Sequence, residues 1–421
     1  MSDAVLIVME NLAAGVSIAL MGVCGVRLLI RFVRVLRGRE PAAGVTRQCA
    51  PGRELAHAAG AALLSRLLLY VLAYAMYRVM GMGTDGFFET LEPLWTHWDT
   101  RHYTGIAREW YTSVGDERLR LVFFPLYPLL MRLLSPLTGG SVFHAGILIS
   151  LACAGASAAL VYDLSYMHFG RKTAALSTAY FLLSPLSVFL CCAYTESLFI
   201  CLTLAAVCLL RRGKTWPTAV CGFLSAFTRM PGVIVAGLLI IDFLGSLPRE
   251  GLRPRALLRC AAQVLLIFCG LFLYWGVNWA VTGDPMTYLI YQRENWYQEP
   301  GSFWGSTATT MHYFITSVGD GDWLYTWGFQ MLCMLIMYLL LAFGAQRLPF
   351  DLAAYSFVYV AVVLSPTWLL SAPRYLYALC ALPMLLARQK IGRTGHFLTL
   401  FGSAVMLFIW VFGYAIAVEV L

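Results

Sequence analysis

The densest run of polar and aromatic side chains in the sequence is EPLWTHWDTRHYTGIAREWY, residues 92–111. Its carboxylate Asp99 is of the type that takes a proton from an attacking hydroxyl, the task of a general base. On a helix beginning near Asp99, the residues Asp99, Tyr103, Ile106 and Trp110 fall on one face, giving an amphipathic element suited to a membrane surface. Trp95, Trp98 and Trp110 suit the headgroup level. A plainer reading makes Asp99 a helix N-cap and the tryptophans an aromatic belt, and spacing alone leaves both readings open.

Further charged residues interrupt otherwise apolar sequence, where a charge is costly unless it is paired or used. Glu196 lies in CCAYTESLF, Arg229 in AFTRMPG and Arg374 in SAPRYLY. Two arginines converging on one leaflet could hold a phosphate through paired N–H donors. Their plainer alternatives are snorkelling to headgroups or pairing with Glu196. FFPLYP, with Phe124, Pro125 and Tyr127, describes a rigid surface beside the Asp99 loop, and Trp98, Tyr103 and Tyr127 are candidates for stacking on sugar rings. Asp320-Gly321-Asp322 resembles a DxD metal pair but reads as a turn before an apolar helix. His97 and His102 flank Asp99 without fitting a zinc site on one helical face. No protein-held metal or cofactor is assigned, and a divalent cation is neither required nor excluded.

The elements that must position these residues are membrane helices. The 421 residues are 60% hydrophobic and 12% charged, against about 25% charged in a soluble domain, which excludes a soluble enzyme, a disordered chain and an ordinary nucleic-acid binder. Apolar segments fall at roughly 4–30, 59–82, 141–168, 173–193, 197–211, 216–229, 230–246, 259–281, 323–343, 350–371, 375–388 and 397–419. The expected fold is an all-α polytopic membrane protein with about twelve helices, within a range of ten to thirteen. The first segment is expected to be an uncleaved membrane helix. Eleven of the twelve cysteines lie in apolar sequence and read as small hydrophobes, Cys49 being the exception.

Nineteen of the 30 basic residues cluster in alternate loops, at 31–53, 171–172, 211–214, 249–259, 347 and 388–393. The positive-inside rule assigns these loops to the cytoplasm. Two long loops, 83–140 and 282–322, are left on the opposite face, and Phe123 to Leu137, broken by three prolines, must lie on or dip into the outer leaflet. The expected organisation is one membrane domain. An extra N-terminal helix and basic loop occupy 1–58, the first core helix and outer catalytic loop 59–140, core helices with the second outer loop (282–322) 141–388, and a last helix 389–421.

HWDTRHY, then FFPLYP, SPLSVFLCCAYTESLF, FTRMPG and SAPRYLY, in that order, resemble the PIG-V mannosyltransferase family, from about Arg66 to about Leu386. The resemblance implies a GT-C-like glycosyltransferase. Such an enzyme uses a polyprenyl- or dolichyl-phosphate sugar donor and carries an acidic base in its first outer loop. By that resemblance Asp99 is the base, and Glu196, Arg229 and Arg374 fall on the family's other polar positions; the expected substrate-binding residues are Trp98, His102, Tyr103, Pro125, Tyr127, Glu196, Arg229 and Arg374. The expected activity is inverting transfer of a hexose, most simply mannose, to a hydroxyl of a lipid or glycan acceptor on the non-cytoplasmic face. Membrane lipids are expected partners and nucleic acid is not. The Arg-over-Lys bias, 27 to 3, points to a bacterial cell membrane rather than the endoplasmic reticulum. A transporter or flippase of a lipid-linked precursor is the alternative, but it would more often show paired repeats and charges near the midplane.

Overall fold

A computed structural model describes residues 3–44, 48–83, 85–321 and 323–416, so Asp322 of the GDGD turn lies outside the described residues. Helices account for nearly all the regular structure, and no strand occurs among the described residues. Two long helices open the chain, α1 (Asp3–Leu36) and α2 (Gly52–Val79). The first long loop folds into α3 (Phe87–Trp95), α4 (Asp99–Glu109), a 3-10 turn at Asp116–Val122 and α5 (Leu126–Leu134). The centre is built from α6 (Val142–Phe169), α7 (Arg171–Leu183), α8 (Glu196–Arg211), α9 (Thr215–Thr228), α10 (Val235–Glu250) and α11 (Pro254–Thr282). The second long loop carries α12 (Thr287–Trp296) and α13 (Phe303–Thr316). Then follow α14 (Phe329–Leu339), α15 (Phe350–Val363), the short α16 (Ala372–Tyr377) and α17 (Leu382–Ala387), and α18 (Gly392–Ala415).

Seven helices among the described residues are long and apolar enough to cross a membrane, against the twelve segments counted from sequence. They are Asp3–Leu36, Gly52–Val79, Val142–Phe169, Met230–Glu250, Pro254–Thr282, Trp323–Arg347 and Gly392–Ala415. The difference has a local cause. Apolar windows around 173–193 and 350–371 are cut at Ser184-Pro185 and Ser365-Pro366, because proline lacks an N–H and restricts its predecessor to extended backbone. The window around 375–388 is interrupted at Ala378–Ala381, just before Pro383 in the first turn of α17. What remains are helices such as α7 and α15, 13 and 14 residues long. Asp116–Val122 and Leu126–Thr138 meet at 109° around Phe123-Phe124-Pro125, so this stretch is a sharp bend, which would bring the count to eight if it formed one span.

Small residues let the central helices approach closely. A Cβ on Gly155 of α6 would touch Leu63 Cγ of α2 at 3.5 Å. Ser141 caps α6 by accepting the His144 N–H at 3.2 Å. Polar residues then gather in two layers at opposite ends of α8. Glu196 opens that helix and Arg211 closes it, and at 1.5 Å per residue the two ends stand about 22 Å apart. At the Arg211 end, Arg211 grips Asp351 through two hydrogen bonds of 2.6 and 2.9 Å, Arg212 pairs with Asp163, and Arg31 pairs with Glu40 at 2.7 Å. Between the layers, the fully buried Arg66 donates to the carbonyls of Leu182, at 2.8 Å, and Ser187, satisfying backbone groups that the break at Ser184-Pro185 leaves free.

Candidate active site

Two helix starts and two helix turns converge at the Glu196 end. Asp99 is the first residue of α4, whose N-cap position is held by Trp98 at φ 42°, with no side-chain capping hydrogen bond. The capping reading of Asp99 therefore has no support. Its Oδ2 instead forms an ion pair with Arg374 Nη1 at 2.8 Å, and neither carboxylate oxygen takes a hydrogen bond from a described residue. A tryptophan at positive φ costs about 1–3 kcal/mol and is found where surrounding structure overrides the preference. Here the override is aromatic. Trp98 packs edge-on against Tyr414 of α18 at 5.1 Å, while Trp95 stacks on the same ring at 5.1 Å.

Glu196 begins α8, where the positive end of the helix favours a carboxylate. Its side chain is 2% exposed and lies between two guanidiniums, Arg229 Nη1 on Oε1 and Arg374 Nε 3.1 Å from the same oxygen. The second contact is an ion pair off the hydrogen-bond line, leaving Arg374 Nε without a hydrogen-bond acceptor. Arg229 sits in extended backbone at the end of α9. The chain reverses immediately after it, where Gly232 lies so close to Ser225 and Ala226 that an added Cβ would fall 2.2 Å from the Ser225 carbonyl carbon. That contact makes the turn which presents Arg229 dependent on glycine. Arg374 is presented by α16, whose approach is fixed by Gln330: its amide donates to Leu369 O at 2.7 Å and accepts the Ala372 N–H at 3.1 Å.

The result is a continuous chain of contacts from Asp99 through Arg374, Glu196 and Arg229 to Thr195 Oγ1 at 3.5 Å and Tyr103 OH at 3.3 Å. Two carboxylates balance two guanidiniums, as interior charge requires. Tyr375 lies under both arginines, with its ring centre 5.2 Å from the Arg229 guanidinium carbon and 5.4 Å from that of Arg374. Tyr194 and Phe189 add rings at 5.3 and 5.5 Å from Arg374. These rings hold the guanidiniums in plane without using their N–H donors. A guanidinium has five such donors. No hydrogen bond within the described residues engages Nη2 of Arg229 or Arg374, so each keeps donors for an anionic ligand. Among the described residues, no group of three His, Cys, Asp or Glu side chains is placed to hold a metal ion.

The structure brings Asp99, Glu196, Arg229 and Arg374 together and sorts the aromatic candidates. Tyr127 is fully buried, its hydroxyl donating to Gly146 O at 2.9 Å and sharing a 2.8 Å hydrogen bond with Ser150. Tyr103 is 6% exposed and packs edge-on against Tyr127 at 5.6 Å. Neither ring has a free face for a sugar, and the expectation that they stack on one is corrected accordingly; Trp98 is half-buried. Burial also pushes the Tyr103 hydroxyl above its ordinary pKa, reinforced by Asp99 and Glu196, so it serves as a neutral hydrogen-bond group. Pro125 is buried at the bend before α5. His102 stacks on Phe123 at 4.6 Å, and burial holds its pKa below the usual value despite the nearby Asp99 carboxylate.

Sequence reading missed Thr195, Tyr194, Tyr375 and Tyr414. The first three sit inside the quoted motifs YTES and PRYLY but carry no charge to mark them. Tyr414 belongs to the last helix, outside the resemblance, yet its ring touches Trp95, His97 and Trp98 beside Asp99.

Against this geometry, residues 82–279 match the family described as mannosyltransferase (PIG-V). The matched segment is a little under half of the chain. That segment holds Asp99, Glu196 and Arg229, whereas Arg374, Tyr375 and Tyr414 lie beyond it. The chain is also similar to GPI alpha-1,6-mannosyltransferase 2 of Rattus norvegicus, with 31% identity over 180 residues, 40% of this chain and 36% of the relative. The Homo sapiens protein of the same name is 30% identical over 156 residues, 34% of this chain and 31% of the relative. The similarity thus spans about a third of those relatives' own lengths. No solved structure matches the chain.

Proposed function

We propose that this protein is a membrane mannosyltransferase of the PIG-V type that moves a hexose from a polyprenyl- or dolichyl-phosphate donor to a hydroxyl of a lipid or glycan acceptor. The observation that carries the reading is the Asp99 carboxylate, ion-paired with Arg374 through Oδ2 and taking no hydrogen bond from a described residue on Oδ1. Oδ1 takes the proton of the acceptor hydroxyl, whose oxygen attacks the anomeric carbon opposite the departing phosphate and inverts its configuration. The lipid phosphate leaves with the bonding pair, and the unused N–H donors of Arg229 and Arg374 stabilise the charge that grows on it. Glu196 keeps both arginines in place between turnovers. Because both are already held, little reorganisation is needed when the phosphate arrives.

A lipid-linked donor suits this position, since its chain can lie among apolar helices while phosphate and sugar reach the polar layer. The distribution of basic residues supports a non-cytoplasmic position for that layer, and the reading has α4 lying along the interface and the shorter helices filling the shell of longer ones. The reading keeps a bacterial membrane as the setting, from the excess of arginine over lysine. The test is transfer of radiolabelled mannose from polyprenyl-phosphate mannose to a lipid extract by the purified protein. Labelled product dependent on Asp99 and Arg374 supports the reading. Donor binding or transbilayer movement without any product would move it to a transporter of lipid-linked sugar.

A further inference from the structure

The second long loop crosses from one wall of this site to the other. Trp296, the last residue of α12, lies 6.3 Å from His102 and 6.1 Å from Phe123, on the Asp99 side. Three residues later the chain is clasped to the loop that leads into Arg374. Thr367 N–H donates to Glu299 O at 2.9 Å, Glu299 N–H donates to Thr367 Oγ1 at 3.0 Å, and the same hydroxyl reaches Tyr297 O at 3.4 Å. Gly301 packs so closely on this loop that a Cβ would stand 2.9 Å from Ser365 O.

Between the two anchors stands Tyr297. It ends α12 in the left-handed conformation, φ 52° and ψ 26°, at the position that normally takes glycine or asparagine. A bulky residue accepts that conformation when burial compensates, but Tyr297 is 70% exposed. Its ring lies 6.3 Å from Trp368 in an edge-on arrangement, and Trp368 is backed by Tyr313 and Trp327 at 6.5 and 6.2 Å. Tyr313 and Trp327 are themselves stacked at 4.5 Å, which makes the backing rigid. Five residues separate Trp368 from Arg374. An unfavourable backbone, an exposed ring and a fixed aromatic partner at the rim of the site are explained together if the ring's work is done on a ligand.

We propose that Tyr297 and Trp368 form a platform for a saccharide ring of the acceptor. The C–H face of a pyranose packs on aromatic rings, which present a large flat area at low entropy cost. This deepens the reading of the site as a glycosyltransferase and rests on it for the word acceptor, while the platform binds sugar whether or not transfer occurs. Carbohydrate is favoured over a lipid tail because the pair sits beside the polar layer and on the hydrogen-bonded loops, flanked by Glu299 and Thr367, both exposed.

The test uses the full chain in nanodiscs, with methyl α-D-mannopyranoside as the probe and glycerol as a control without a ring face. Saturation-transfer NMR reads the dissociation constant, and a thermal melt reads the fold. The parent and Asp99→Asn bind the probe equally, glycerol does not bind, and Tyr297→Asn weakens binding by about fivefold or more. Because asparagine accepts the left-handed backbone, Tyr297→Asn also melts at or above the parental temperature. Trp368→Leu repeats the loss of binding from the other ring. Parental affinity in both variants overturns the platform, as does the absence of probe binding to the parent. A fall in melting temperature in Tyr297→Asn also overturns it, making the ring structural. Probe binding that depends on Tyr297 in a protein inactive towards every donor leaves the platform standing and removes the transferase reading instead.

Discussion

The Asp99 carboxylate and the Arg374 guanidinium, separated by 275 positions in the chain, meet at 2.8 Å, and Arg374 simultaneously faces Glu196. One arginine thereby ties the start of α4 to the start of α8. The pair is mostly shielded, with side chains 23% and 11% exposed, so its attraction is less screened than that of a surface ion pair.

A double-mutant cycle measures that tie. Asp99→Ala and Arg374→Ala should each lower stability, and their effects should be non-additive by about 0.5–3 kcal/mol. Arg374→Ala should cost more, because it also leaves the buried Glu196 with Arg229 as its remaining counter-charge. Additive effects in thermal or denaturant unfolding would show that the two side chains do not interact.

Arg229→Lys and Arg374→Lys preserve charge but not the planar fork. Each should lower transfer by roughly 10–100-fold, the equivalent of losing one charge-assisted hydrogen bond worth about 1.5–3 kcal/mol. Neither should abolish expression. Initial rates at saturating acceptor check this, and parental rates in both lysine variants would reduce the arginines to partners of Glu196.

The charged part of this constellation was legible because a charge in apolar sequence is costly and therefore conspicuous: Glu196, Arg229 and Arg374 stood out, and Arg374 links Asp99 to Glu196, which in turn pairs with Arg229. The aromatic part was not. Tyr375 and Tyr194 support arginines while Tyr103 and Tyr127 are buried in the wall, and nothing in the identity of a tyrosine tells these cases apart. Tyr414 was invisible because its contact with Trp98 depends on the docking of α18, which no local pattern encodes. Hydropathy located the apolar segments but counted windows across Ser184-Pro185 and Ser365-Pro366 as single spans, where proline divides them. Arg66 passed as one basic residue among many, though its partners are backbone carbonyls freed at the first of those breaks.

Two histidines give the first loop a pH dependence. Burial, the first cause in each case, holds the pKa of His97 and His102 below 6.5; the Arg101 charge adds to it at both, and Arg120 at His102. Between the unfolded value near 6.5 and the lower folded values, the unfolded chain binds more protons, so stability falls as pH is lowered through that window and is unaffected above it. The melting temperature should therefore drop on going from pH 7.5 to 5.5. A His97→Asn/His102→Asn variant should show a smaller drop, and an equal one would contradict the assignment.

The proposed orientation predicts opposite labelling at the two ends of the molecule. In a Cys49→Ser background, Ser113→Cys and Asn295→Cys should react with an impermeant thiol reagent on intact cells. Cys49 in the parent is exposed on the basic loop and should react only after permeabilisation. The reverse pattern would turn the site to the cytoplasm.

The central claim is that Asp99 acts as a base, and Asp99→Asn tests it most directly. Asparagine keeps an oxygen beside Arg374 Nη1 but loses the ionisable carboxylate, so the variant should fold, lose no more than the ion-pair coupling of about 0.5–3 kcal/mol, and still bind the lipid-phosphate donor. Mannose transfer from polyprenyl-phosphate mannose should fall by about 10²–10⁴-fold, the usual worth of general base catalysis. Asp116→Asn, an exposed acid paired only with Arg118 at 3.6 Å, should stay near the parental rate. Transfer by Asp99→Asn at the parental rate would contradict the account, leaving Asp99 as a structural partner of Arg374.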